Sequence, residues 1–287
     1  PHTTPRRQRQ MCIRDSTDSV VEIKRGIDGV DCCIEVLKND SGNVIPMNID
    51  EASKNRMAFT QKEPIGVVLA ISAFNHPFNL IIHQIIPAIA CGCVVIVKPA
   101  EDTPLSCIKI IEMLYESGLP KNRCFFVMPE TLELATKLVE DSRIDFFSFI
   151  GSSKVGWFLR SKLAPGTRCA LEHGGIAPTF ITESAELDSS CKLLARGAFY
   201  HSGQVCVSVQ RIFVNLKIID KFLDKFIPRV SELKVGDPLV ESTNLGPLIR
   251  NTEVERVDKW VEESTKNGAK LLLGGKKINN VAYDKTI

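Results

Sequence analysis

The sequence predicts an α/β protein, a doubly wound parallel sheet followed by a second α/β unit whose end is missing. Two observations carry this. From Pro64 to Ile150, short apolar runs rich in β-branched residues alternate with segments of helical period. After Asp188 the alternation resumes behind a long helix and a Gly-rich turn. Residues 1–16 read as a non-native leader, 17–184 as the sheet domain with a short extended segment near 42–62, and 185–287 as the second domain.

The elements follow in order. Val20, Ile23, Ile27, Val30, Ile34 and Leu37 recur at spacings of three and four, one apolar helix face that tolerates Gly26 and Gly29. Asp40-Ser41-Gly42-Asn43 ends it. Val44 to Asn48 is extended. Ile65 to Ile71 is a strand buried on both faces, and Phe78 to Ala90 a helix with Pro77 at its start and Pro87 bending it. Strand 93–97, helix 103–116, strand 124–128, helix 130–140, strand 146–150 and helix 152–163 come next. Arg168 to Leu171 and Pro178 to Thr182 are short strands. A helix to about Tyr200, a strand at 211–214 and helices at 218–233 and 254–266 complete the reading.

Composition excludes several classes. A net charge of +2 gives no field for nucleic acid, and the surplus sits in the Arg-rich first 16 residues. No apolar run reaches the ~18 residues of a membrane span. Ten cysteines in 287 residues fall short of the ~8–10% of a disulfide scaffold. They form no CxxC pair and no zinc spacing, so no metal site is expected. A reduced, cytoplasmic compartment is expected. The leader has no apolar core. It reads as a transit peptide or, preferably, a cloning scar, and is left out of the fold.

The chemistry-bearing candidates lie at strand ends, where open α/β sheets build sites. Cys206, in His201-Ser202-Gly203-Gln204-Val205-Cys206, can sit at an exposed bend as a nucleophile or be buried as a small hydrophobe. Glu172, before His173-Gly174-Gly175, is a candidate general base or a solvated loop acid. His173 is set aside as its partner because adjacent extended side chains point to opposite faces. Asn75, in Ser72-Ala73-Phe74-Asn75-His76-Pro77, is an oxyanion donor or a turn residue. Gly151-Ser152-Ser153-Lys154-Val155-Gly156 opens a helix after a strand and can face an anion, though it is neither GxGxxG nor a P-loop. Lys98 and Glu101 end another strand and either hold a ribose or phosphate or are surface charges.

Taken in order, Phe74-Asn75-His76-Pro77, Val97-Lys98-Pro99-Ala100-Glu101, Phe149-Ile150-Gly151-Ser152, Leu171-Glu172-His173-Gly174-Gly175 and Gly203-Gln204-Val205-Cys206 resemble the NAD(P)-dependent aldehyde dehydrogenase superfamily. Gln210-Arg211-Ile212, Val235-Gly236-Asp237-Pro238 and Gly246-Pro247-Leu248-Ile249 extend the resemblance, which runs from about Val20 to the end. It implies an aldehyde dehydrogenase-like fold, with 17–184 as an NAD(P)-binding domain incomplete at its start and 185–287 as a catalytic domain incomplete at its end. It implies Cys206 as nucleophile, Asn75 and the Cys206 N–H as oxyanion donors, and Glu172 as the base that activates water. It places Lys98 and Glu101 at the adenosine ribose. Ser72, Phe74, Gly151, Ser152, Gly156 and Gly174 would lie along the cofactor, NAD with NADP possible. The partners implied are a small aldehyde and, at full length, a second copy or three more of the chain. His173, Ile176 and Phe74 depart from the usual pattern and leave substrate and subfamily open. The later Glu-x-Phe motif and the C-terminal assembly strand do not occur, so the parent is expected to be active and this fragment poor or inactive. The competing readings are a CoA-acylating dehydrogenase, which commonly lacks the base glutamate, and a nucleotide-binding relative without turnover.

Overall fold

The structure, a computed structural model, describes residues 16–287. The expected leader lies outside the described residues except for Ser16, which opens helix α1 (Ser16–Asn39). That helix stands where the periodicity put one, but the expected apolar face is not the buried one. Val20, Ile23, Ile27, Ile34 and Leu37 are exposed, Val20 by 62%. The buried line is Asp18, Glu22 and Gly26. The cause is close packing on helix α2 (Asn79–Ala90). Gly26 lies against the Phe78 ring, where a Cβ would come within 2.4 Å of a ring carbon. Glu22 Oε1 accepts from the N–H groups of Phe78 and Asn79 at 2.8 and 2.9 Å. A carboxylate from another helix thus caps the positive end of α2, which lacks a cap of its own.

The extended segment is a small antiparallel pair, β1 (Val44–Ile45) with β2 (Ala58–Phe59). The main sheet holds β3 (Val67–Ile71), β4 (Val94–Lys98), β5 (Cys124–Phe126), β6 (Phe146–Gly151) and β7 (Arg168–His173). All are parallel, in the order β5-β4-β3-β6-β7. Side chains alternate across β3. Val68 and Ala70 join α2 and α3 (Leu105–Glu116) on one face. Leu69 and Ile71 meet residues of α4 (Leu132–Val139) and α5 (Ser153–Arg160) on the other. Strands covered on both sides need continuous apolar runs, which is why they were visible in the sequence. Chain order reverses between β3 and β6, so the crevice of a doubly wound sheet opens beyond their carboxyl ends. Buried Gln84 braces that point: its Nε2 donates to Ile71 O, Ser148 O and Ser148 Oγ at 3.0–3.2 Å.

The chain leaves this sheet at His173. β8 (Thr179–Ile181) pairs in parallel with β9 (Ile212–Val214) instead. The change of sheet therefore falls before residue 184, because an isolated three-residue run carries no sign of its partner. α6 (Leu187–Phe199) and α7 (Ile219–Ser231) cover this second sheet around Cys191, Leu194, Phe222, Phe226 and Val230. Helix α8 (Asn251–Lys266) and the pair β10 (Lys277–Asn279) and β11 (Ala282–Tyr283) follow. Lys277 bridges Glu255 and Asp258, each at 2.8 Å, and the Tyr283 hydroxyl donates to Asp258 at 3.1 Å. Burial and that carboxylate push the Tyr283 phenol up to about 12.

Candidate active site

The carboxyl ends of the sheet strands are level. Ile71 pairs with Lys98 on one side and Phe149 on the other, and Phe149 with Leu171. Residues just beyond that row line one cleft of about 1270 Å³. Ser72, Phe74 and Asn75 enter it from the loop after β3, Gly151 and Ser152 from the end of β6, and Glu172 and Gly174 from the end of β7. Cys206 closes it from the second unit. Glu172 lies inside β7, opposite Ile150, rather than past the strand. The strand runs further than its apolar run because its last pairing, Gly151 with His173, is made by the backbone.

What draws Glu172 and Cys206 to one cleft is a backbone seam. Gly175 N–H donates to Cys206 O at 3.2 Å, and Gln210 N–H donates to Ile176 O at 3.1 Å. The Gln210 side chain donates to Gly175 O at 3.2 Å, and Thr179 N–H to Arg211 O at 2.9 Å. Gly175 permits the approach, since a Cβ there would stand 3.3 Å from Cys206 O. Both reactive side chains are exposed to the cleft. The core thiols differ: burial, with neighbouring Cys124 adding to it, pushes Cys107 up to about 12, and burial pushes Cys124 up to about 11.

Ser152 caps α5, its Oγ accepting from Val155 N–H at 3.4 Å, and the first amides of this helix open at the cleft edge. Gly156 is absent from the lining. It is buried against His173, whose Nε2 would stand 2.2 Å from a Cβ at that position. His173 packs on Phe149 and Trp157, with ring centroids at 6.1 and 5.6 Å. Glu172 and His173 thus point to opposite faces, as strand geometry requires. Lys98 and Glu101 pair at 3.7 Å beside the lining residue Ala100, Lys98 nearly buried and Glu101 57% exposed. Among the described residues no group of three His, Cys, Asp or Glu can hold a metal. No helix there is long and apolar enough to cross a membrane.

The sequence did not disclose how the nucleophile turn is held. Gln204 Oε1 accepts from Ile249 N–H at 2.9 Å, while its Nε2 donates to His201 O and Pro247 O, both at 3.3 Å. The next residue, Arg250, forms an ion pair with buried Asp102, 148 positions away in the chain. The only sequence trace of this support was the Gly246-Pro247-Leu248-Ile249 motif beside it.

Known proteins resemble this chain over most of its length. The 3-sulfolactaldehyde dehydrogenase of Priestia aryabhattai is 40% identical over 256 residues, covering 89% of this chain and 54% of that protein. Aldehyde dehydrogenase 21 from Physcomitrella patens, solved with the reaction product succinate, superposes with a TM-score of 0.92 at 32% identity, covering 99% of this chain and 59% of that one. Glyceraldehyde-3-phosphate dehydrogenase from Methanocaldococcus jannaschii, solved with NADP, gives 0.89 at 35%, covering 99% and 66%. The chain spans about half the length of the curated relatives it matches. The model of the aldehyde dehydrogenase family matches residues 13–287, overlapping the end of the expected leader, and the chain belongs to that family.

Proposed function

We propose that this chain serves in the NAD(P)-dependent oxidation of a short, polar or anionic aldehyde to its carboxylic acid. One observation carries the reading: the Gly175–Cys206 hydrogen bond sets an exposed thiol and an exposed carboxylate on one cleft. The Cys206 thiolate attacks the aldehyde carbon, forming the C–S bond. The resulting oxyanion receives hydrogen bonds from the Asn75 amide and the Cys206 N–H. A dinucleotide suits the same cleft, for Ser72 Oγ and Asn75 Oδ1 are buried there without a hydrogen-bond partner. Gly151, Ser152 and the start of α5 would lie at its pyrophosphate, with Ser72, Phe74 and Gly174 along it and Lys98 and Glu101 at its ribose. When bound, the nicotinamide would supply the two-electron acceptor, so that the Cys206-bound carbon loses its hydrogen as hydride and the oxyanion closes to a thioester carbonyl. Glu172 then takes a proton from water, whose oxygen attacks the thioester carbon; the C–S bond breaks and frees the acid and the thiolate.

The substrate class rests on relatives named for 3-sulfolactaldehyde, lactaldehyde and succinate semialdehyde. A reducing, cytoplasmic setting is part of the proposal, supported by nine free thiols among the described residues, as is a homodimer or homotetramer. The test is NADH formation by the full-length protein with NAD and these aldehydes, with and without coenzyme A. Dependence on coenzyme A would favour the acylating reading, and dinucleotide binding without any NADH would favour a relative without turnover.

Cofactor choice gives a second expected result. A carboxylate near the adenosine ribose accepts from its hydroxyls and repels a 2′-phosphate. NAD is therefore preferred, and Glu101→Gln narrows the ratio of Kd values for NADP and NAD by about tenfold, the effect of ~1.4 kcal/mol. Titration of both cofactors measures it; an unchanged ratio removes Glu101 from the ribose.

A further inference from the structure

We infer that residues 246–250 form a strap that couples the cofactor end of the cleft to the nucleophile turn, with Arg250 as its positioning residue. The inference rests on the function proposed above, but its test does not depend on turnover.

The turn before Cys206 is held in an unfavourable backbone state. His201 has φ 55° and ψ 35°, Ser202 φ 55° and ψ 33°, and Gly203 φ 74°. Three consecutive residues are left-handed and only one is glycine. Outside glycine such residues are strained and persist only where their surroundings impose them. Here the surroundings are the strap. Ser202 Oγ donates to Gly246 O, Gln204 Nε2 donates to Pro247 O, and Ile249 N–H donates to Gln204 Oε1. Three hydrogen bonds over four strap residues fix the turn that ends at Cys206.

The strap is anchored at its far end. Arg250 reaches Asp102 with both Nε and a terminal nitrogen. Asp102 is buried in the loop after β4, next to Glu101 and close to Lys98. Arg250 is half exposed but the Asp102 carboxylate is buried, so losing the pair removes a charged partner from a carboxylate that water reaches poorly. The path is short and contiguous: Lys98 and Glu101, then Asp102, Arg250, Ile249, Gln204 and the turn. No helix or strand lies between. Whatever seats the 98–102 loop thereby sets the restraint on the turn.

Amide hydrogen exchange of the whole chain, followed by mass spectrometry on peptides covering 200–208, reads the restraint directly. Arg250→Ala and Asp102→Asn are each expected to speed exchange there about tenfold, and Gln204→Ala likewise while leaving the anchor in place. The double variant Asp102→Arg with Arg250→Asp is expected to return exchange to within about threefold of the original, a rescue that general loosening would not show. In the unaltered chain, NAD is expected to slow exchange in the same peptides, and Arg250→Ala to remove that response while the peptides after β6 still respond. Unchanged exchange at 200–208 in folded Arg250→Ala overturns the strap; should that variant not fold, unchanged exchange in Arg250→Lys, which keeps the charge and loses the planar fork, overturns it equally. Failure to oxidise any aldehyde would count against the proposed function and leave the exchange result standing.

Discussion

In the full-length protein, Cys206→Ser is expected to abolish covalent capture of aldehyde and to lower NADH formation by on the order of 10⁴-fold or more. A thiol is a good nucleophile with little help, because a few per cent of it is thiolate at neutral pH. A serine hydroxyl needs an adjacent base to be activated. His201 and His76 pack ring to ring at 5.7 Å, but both are buried, and Glu172 is assigned to the later water. Among the described residues no other cysteine lines the cleft, the half-buried Cys33 and Cys169 included. Cys93, Cys107, Cys124 and Cys191 are buried, and the exposed Cys32 and Cys91 sit on α1 and at the end of α2, away from the cleft lining. Intact-mass measurement after mixing with aldehyde and NAD checks the covalent part, since the acyl adduct should appear on the Cys206 peptide alone. An adduct of equal yield in the serine variant would remove Cys206 from the chemistry.

How much of this could be read beforehand depended on the range of the contact involved. The strands from Val67 to Gly151 were legible because a strand buried on both faces must be apolar throughout, and that is a local property. The motifs around Asn75, Glu172 and Cys206 were legible through their order. The face of α1 was misread because small and polar residues made the close contact: glycine under Phe78 and a carboxylate on a helix end carry no hydrophobic signal. The resemblance implied Gly156 along the cofactor, and here it packs against His173, a contact no local pattern could show. The membership of β8 in the second sheet and the Asp102–Arg250 anchor are long-range facts with no local pattern. Sequence reasoning therefore named side chains that the structure brings to one cleft and missed the contacts that hold them there.

In the full-length protein, Glu172→Gln is expected to separate the two halves of the reaction. Hydride loss from the carbon bound to Cys206 needs the thiolate and the oxyanion donors, none of which the substitution touches. Hydrolysis needs a proton taken from water, and a neutral amide cannot take it. The variant should release one equivalent of NADH per competent site at close to the original rate and then stall, with steady turnover down about 10²–10⁴-fold, the range of a lost general base. The amide keeps the shape of the carboxylate, and Glu172 is exposed on the last turn of strand pairing rather than packed in the core, so stability should change little. Rapid-mixing absorbance at the NADH band gives both numbers in one trace, and intact mass should show the acyl group accumulating on Cys206. A burst and a steady rate that fall together would place Glu172 in binding or in the first chemical step. A steady rate restored by coenzyme A or another thiol, with the burst unchanged, would show that the stalled species is the thioester and that water activation alone was lost.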